Sequence, residues 1–267
     1  ILVANGITAA TGLSLSSIAT NTRMGAGGPY AIISRSLGFE IGGSIGVPLY
    51  LSQALAVAMY IFGFREGWLW IYPDHPAILV DLGIFPVVLA IAYLSASLAF
   101  KIQYVVMAVI AVSLVLILGN MEVWRSDITP TMWGAYPGSP ENGYSGTSFW
   151  VVFAVFFPAA TGVMAGANMS GELRDPRRAI PMGTLTAIGI SLVIYIVLAF
   201  WAAKAAGTDD LVSNYTLMLD KSLWGPGVLA GLLGATFSSA LTSLVGAPRI
   251  LAALARDRII PRGHWLD

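Results

Sequence analysis

The sequence predicts an all-α polytopic membrane protein with one discontinuous helix, and three observations predict it. The composition is 57% hydrophobic and only 10% charged, whereas a soluble domain carries roughly 25% charged residues. Apolar stretches long enough to cross a bilayer, which takes about 20 helical residues, recur along the whole chain between polar, turn-forming segments. One stretch, Phe149 to Pro181, is interrupted by Pro158, Gly162 and Gly166. The composition also excludes functions. With no cysteine there is no disulfide framework or thiolate metal site, and both histidines, His75 and His264, fall in hydrophilic flanks. Metal and nucleophile chemistry are poorly supplied and no enzyme is expected, and a net charge of zero carries no nucleic-acid signal. Ile1 opens in apolar sequence without a basic leader, which reads as a start at or inside a span rather than as a signal peptide.

Taken in order, Ile1–Thr20 is uncharged and long enough to span, and Asn21–Phe39 follows as a GAGGPY turn with a short amphipathic piece expected at the interface. Ile41–Phe64 is the second span, with Gly42 and Gly46 one turn apart as a close-packing face. Arg65–Ala77 reads as an aromatic interfacial loop. Ile78–Ser97 is the third span, kinkable at Pro86 with Asp81 in its first turn, and Ile102–Leu118 is the fourth. Asn120–Thr147 is a polar extracellular loop. The broken helix comes next, followed by a basic turn, RDPRRAIP, with two prolines. Thr184–Ala203 is the sixth span and Gly227–Ser243 the seventh, with Pro248–Arg258 as a separate basic amphipathic helix. Asn214, in NYT on an outer loop, fits a glycosylation sequon.

Positive charge orients these seven spans. If the first runs inward, the cytoplasmic side holds Arg23, Arg35, Lys101, Arg174, Arg177, Arg178, Arg249, Arg256, Arg258 and Arg262, against Arg65, Arg125, Lys204 and Lys221 outside. The resulting division is 1–119 with four spans, the loop 120–147, and 148–267 with the broken helix, two spans and the basic segment.

The break carries the functional reading. Proline removes a backbone donor, and glycine leaves helical angles cheaply, so the carbonyls around Pro158–Thr161 lose their intrahelical partners. Such backbone is tolerated in a bilayer only where it is buried in protein or lines a wet cavity, and there the freed carbonyls can coordinate a cation. The half-helix that begins near Gly162 points its free N–H groups and positive dipole end at the same place, which suits an anion.

The pieces TGLSLSSIATN, GGPYAIISRSLGFEIGGSIG, AVAMYIFGF, FFPAATGVMAGANMSGELRDPRRAIPMGTL and SSALTSLVGAPRILAALARDRIIP closely resemble the cation–chloride cotransporter family. That family belongs to the amino acid–polyamine–organocation superfamily, whose fold has two inverted five-helix repeats. The resemblance implies a partial inverted-repeat transporter fold holding the second to eighth helices. The family's first helix, also broken, falls outside this sequence. It further implies potassium ligation by Tyr60, the Pro158 carbonyl and Thr161, chloride at Gly162, Val163 and Met164, and sodium at the Ala235 carbonyl with Ser238 and Ser239. Retention of Ser239 implies sodium coupling.

Helical spacing agrees, because Ala235, Ser238 and Ser239 stand at i, i+3 and i+4 and share one face, and hard cations take oxygen ligands. No span centre carries Asp, Glu, Lys or Arg, which favours neutral oxygens over a carboxylate proton relay. Plainer readings stand beside these. Serines in spans often bond back to their own helix, and Tyr60 could be an interfacial anchor. Asn168 and Ser170 read as structural. Glu172 with Arg174–Arg178 reads either as a gate network or as a topology signal. The expected function is secondary active symport of chloride with potassium and sodium by alternating access, in a plasma or bacterial inner membrane. It needs no cofactor beyond the transported ions. Its partners are inorganic ions and lipid, with a homodimer left open and no nucleic acid. The alternatives are an amino acid or polyamine permease on the same fold, and a non-transporting membrane partner of a related carrier.

Overall fold

The structure is a computed structural model that describes residues 1–21, 27–94, 96–129, 136–139, 144–168 and 173–260. Arg23, Ser170, Glu172, Arg262 and His264 lie outside the described residues. The elements are α1 (Leu2–Asn21), α2 (Gly28–Leu37), α3 (Phe39–Ile71), α4 (Ala77–Leu94), α5 (Ala96–Leu118), α6 (Met121–Trp124), β1 (Tyr136–Ser139), β2 (Tyr144–Thr147) and α7 (Phe149–Phe156). A 3₁₀ turn (Phe157–Ala160) then leads to α8 (Met164–Asn168), α9 (Pro176–Ala205), α10 (Thr208–Ser213), α11 (Leu217–Asp220) and α12 (Gly225–Arg256). Among the described residues, six helices are long and apolar enough to cross a membrane: α1, α3, α4, α5 from Lys101, α9 and α12. The apolar segment Phe149–Ala160 is shorter, as expected of half a broken span. The protein is an integral, multi-pass membrane protein.

Four boundaries differ from the sequence reading, each for a local reason. The aromatic segment expected as a loop is helical to Ile71, because Phe64, Trp68 and Tyr72 stack at i, i+4 spacing with centroids 6.1 and 5.1 Å apart. RDPRRAIP does not stay a turn. Pro176 takes the first position of α9, where a missing N–H is no loss, and Pro181 is absorbed in the helix. The basic segment after the seventh span is not a separate helix, since α12 runs unbroken through Pro248. Burial of Ile250 and Leu254, both 0% exposed, outweighs the one backbone bond that proline removes. The loop 120–147 holds α6, capped by Asn120 accepting from the Glu122 amide, and an antiparallel hairpin pairing Tyr136 with Thr147.

The chain forms two compact units. The first comprises Ile1–Ala9, Ala108–Thr161 and Ala187–Gly231. Its core is the fully buried Trp201 among Ile117, Val123, Ala205, Leu217 and Val228. Lys204 closes that core with polar contacts, donating from Nζ to the Trp124 and Ser126 carbonyls at 3.0 and 2.9 Å, while Ser126 Oγ donates to the Lys204 carbonyl at 2.7 Å.

The second unit comprises Ala10–Met107, Gly162–Thr186 and Leu232–Asp267. Val57 and Ile61 of α3, Val88 of α4, and Leu241 and Val245 of α12 form its main core. The short α2, expected at the interface, buries Gly28–Ile32 and Ser34 against its neighbours. Gly42 and Gly46 make that possible, because a Cβ at either would fall 2.5 Å from Ser34 Cβ or 2.6 Å from Tyr30 Cδ2. Tyr30 is completely buried, and its hydroxyl donates to Asp257 Oδ2 at 2.7 Å. Burial, and then the carboxylate beside it, push this phenol above its ordinary range.

Candidate functional site

The interruption predicted between Phe149 and Pro181 is present, and its stages follow the residues. Apolar aromatic residues hold α7 helical to Phe156, and a 3₁₀ turn opens at Phe157 with Pro158 behind it. Thr161 is extended (φ −89°, ψ −172°), and Gly162 turns the chain at φ +98° before α8 resumes at Met164. A Cβ at Gly162 would meet nothing within 4 Å. The requirement for glycine there is conformational, not steric.

Within the first unit, three successive carbonyls of the break are each met by a hydroxyl. Pro158 O accepts from Thr161 Oγ1 at 2.6 Å and from the Thr161 amide at 3.2 Å. Ala159 O accepts from the Tyr195 hydroxyl of α9, and Ala160 O from Thr8 Oγ1 of α1 at 2.9 Å. Tyr195 also stacks edge-on against Phe156, with centroids 5.3 Å apart. The sequence reading anticipated that the freed carbonyls need partners but identified neither Thr8 nor Tyr195. Nothing in the sequence singles them out, because α1 and α9 carry several other hydroxyls, among them Thr11, Ser14 and Ser191. Pro158 and Thr161, two of the three potassium candidates, are in direct contact, and a cation held by both oxygens would replace the hydroxyl's bond to the carbonyl.

In the second unit, the chloride candidates Gly162, Val163 and Met164 open the other half. Among the described residues, no hydrogen bond engages the amides of Gly162 or Val163. The Met164 side chain packs against Leu15, Ala19, Ile32, Ala167 and Ile180, which anchors α8 on α1 and α9. Asn168 ends this half-helix almost fully buried. Its carbonyl accepts from Arg249 Nη1 at 3.5 Å and its side chain fills the space beside Gly28 and Gly246, in keeping with a structural role. Tyr60, the third potassium candidate, is half-buried on α3, packed on the core of Val57, Ile61, Val88 and Leu241.

The sodium candidates share one stretch of α12. Ala235, Ser238 and Ser239 are all half-buried. Neither serine bonds back to its own helix, unlike Thr236 and Thr242, which donate to Leu232 O at 3.0 Å and Ser238 O at 2.9 Å. Ser238 Oγ instead donates to Gln103 Oε1 on α5, 2.5 Å away, and Ser239 Oγ has no partner among the described residues. Gln103 was not among the residues expected at this site. A helical carbonyl such as Ala235 O has a second lone pair to offer, and helical period sets Ala235, Ser238 and Ser239 on one face of α12.

No group of three or more histidines or acids that could hold a metal occurs among the described residues. Asp81, one turn into α4, is paired with Arg65 at 3.0 Å. Asn214, in the sequon, is engaged in a turn: its Oδ1 accepts from the Thr216 amide at 2.9 Å and its Nδ2 donates to Asp220 at 3.0 Å.

The amino acid permease family profile matches residues 1–267. The chain is 34% identical over 313 residues to solute carrier family 12 member 2 of the mouse, covering 98% of this chain and 26% of that protein. It is 35% identical over 312 residues to mouse solute carrier family 12 member 1, covering 97% of this chain and 28% of the relative. Solute carrier family 12 member 2 of the shark Squalus acanthias is 35% identical over 311 residues, 97% of this chain and 26% of the relative. The chain thus spans about a quarter of the length of these curated relatives. The resemblance to cation–chloride cotransporters read from the motifs holds.

Proposed function

The chain belongs to the amino acid permease family, and on that premise we propose that it forms part of a secondary active symporter moving chloride with potassium and sodium by alternating access, and is not an enzyme. The observation that carries the reading is the break itself. Between α7 and α8 the backbone leaves the helix, and on its two sides it exposes oxygens able to hold a cation and unengaged N–H groups able to hold an anion. Potassium is assigned to Tyr60, Pro158 and Thr161, chloride to Gly162, Val163 and Met164, and sodium to Ala235, Ser238 and Ser239. Co-binding of cation and anion removes the need for a fixed counter-charge, which fits the neutral character of all nine residues. The two inverted repeats and the inward course of α1 belong to the same proposal.

The test is rubidium uptake into liposomes holding the full-length protein, with sodium and chloride each replaced in turn by an inert ion. Uptake that needs both supports the assignment. Uptake that needs chloride alone removes sodium from it, and uptake indifferent to both overturns it. The family to which the chain belongs favours a second reading, an amino acid permease. Flux of a labelled amino acid mixture, with no rubidium flux, would establish that instead.

A further inference from the structure

We infer that Gln103 is a positioning residue for the sodium site, acting through Ser238, and this rests on the sodium assignment above. A serine hydroxyl ligates a cation through its lone pairs, so its proton must point elsewhere. In a dry span the usual destination is a carbonyl of the same helix one turn back. That choice sets the hydroxyl by its own helix alone, with no tie to a neighbouring element. In this chain the proton goes across to another helix, where Gln103 Oε1 accepts it at 2.5 Å.

The amide is held in that sense by its other end. Gln103 Nε2 donates to Thr242 Oγ1 at 2.6 Å and lies 3.3 Å from the carbonyl oxygen of Ser238. Thr242, in turn, donates its own proton to that carbonyl at 2.9 Å. Turning the amide over would set its oxygen against the Ser238 carbonyl, oxygen to oxygen, and would make its nitrogen a donor to Ser238 Oγ, consuming a lone pair the cation needs. The two donor contacts of Nε2 therefore fix Oε1 as acceptor, and Oε1 fixes Ser238 as a donor to α5 with its lone pairs free. Ser239, one residue on, carries no such partner among the described residues, so the two serines differ in preorganisation although they are neighbours in sequence. Groups placed behind metal ligands in this way typically change affinity by about 10–100-fold when removed.

The experiment measures half-saturation by sodium, potassium and chloride in rubidium uptake by liposomes of the full-length protein. Gln103→Met keeps the length and apolar volume of the side chain and removes all three of its hydrogen bonds. The expected result is a rise of about tenfold in the sodium requirement, with potassium and chloride requirements within twofold of the parent. Gln103→Glu, held as the neutral acid that a low-dielectric span favours, keeps an acceptor for Ser238 and an O–H donor in place of Nε2, and should hold sodium affinity near the parent value. A merely structural glutamine would not show that split between ions or that rescue. If Gln103→Met does not reach the membrane, Gln103→Asn, one methylene shorter, carries the same expectation. Sodium affinity unchanged in the Gln103 variant while Ser238→Ala weakens it overturns the positioning role and leaves the sodium site standing. Sodium affinity unchanged in both overturns the sodium assignment itself, and equal losses for all three ions overturn the positioning role.

Discussion

Thr8 is the most exacting test of how the broken helix is held. Its hydroxyl lies 2.9 Å from Ala160 O and 3.1 Å from Ala4 O of its own helix. Thr8 and Ala160 are each 6% exposed, and no other donor reaches the Ala160 carbonyl among the described residues. Thr8→Val keeps the β-branched shape and replaces the hydroxyl with a methyl. The Ala4 carbonyl still has its helical partner, so its loss is small. The Ala160 carbonyl would be left buried without a donor, at a cost of about 1–3 kcal/mol. A loss of about 2 kcal/mol corresponds to a factor of nearly 30 in the folding equilibrium. At roughly 2–4 °C per kcal/mol for chains of this size, the thermal midpoint should fall by about 4–8 °C. Thr8→Ser retains the donor and loses one buried methyl, worth about 1 kcal/mol. The assay is tryptophan-fluorescence melting of the full-length protein in detergent, beside rubidium uptake for each variant. A valine variant that melts with the parent would refute the reasoning. It would mean that Ala160 O is hydrated and that Thr8 serves only its own helix.

Further outcomes follow from local geometry elsewhere in the fold. Gly231→Ala would place a Cβ 1.9 Å from Ser113 Oγ, which donates to Gly227 O at 2.9 Å, and should cost about 1–3 kcal/mol in the same melting assay. Gly234→Ala, whose nearest neighbour would be Val106 Cγ1 at 3.4 Å, should melt close to the parent. Tyr30→Phe removes the bond to Asp257 and should cost about 0.5–1.5 kcal/mol near neutral pH. The phenol is raised in the folded state, so the stability it contributes is complete below the unfolded value of about 10 and is lost as pH rises beyond it. Melting from pH 8 to 11 should therefore fall less steeply in Tyr30→Phe than in the parent. Thr161→Ala and Tyr60→Phe should raise the potassium requirement of uptake more than the sodium requirement; equal effects on both would count against the potassium assignment.

The break was legible because Pro158 and Gly162 act through the covalent chemistry of their own residues. A missing N–H and a positive φ are local properties that no tertiary contact needs to supply. The same holds for the shared face of Ala235, Ser238 and Ser239, which follows from helical period alone. The partners of the freed carbonyls were not legible. Thr8 and Tyr195 meet Ala160 and Ala159 across 152 and 36 residues of chain, and one hydroxyl among several in a span gives no sign of which carbonyl it will face. Gln103 was missed for the same reason, since its bond to Ser238 joins α5 to α12 across 135 residues. The helix ends at Ile71 and Arg256 were misplaced in the opposite way. Prolines and aromatic residues there read as breakers and loop markers, but an i, i+4 aromatic ladder and the burial of Ile250 and Leu254 outweighed those local preferences.

These hydroxyls explain why a site of this kind can be built without charge. A carboxylate in a span needs a permanent partner, as Asp81 has in Arg65, and would strand a charge in a low-dielectric interior whenever its ion departed. A hydroxyl avoids that cost because it both donates and accepts. Thr161 can give its proton to Pro158 O, or turn about a single bond and offer lone pairs beside that same carbonyl. Ser238 does better, since its proton has a fixed destination on Gln103 whether or not its lone pairs are engaged. Release of a cation from such ligands requires rotation rather than charge separation. Under the proposed assignment, a carrier that must bind and release in every cycle is therefore better served by Thr161, Ser238 and Ser239 than by acids at the same positions.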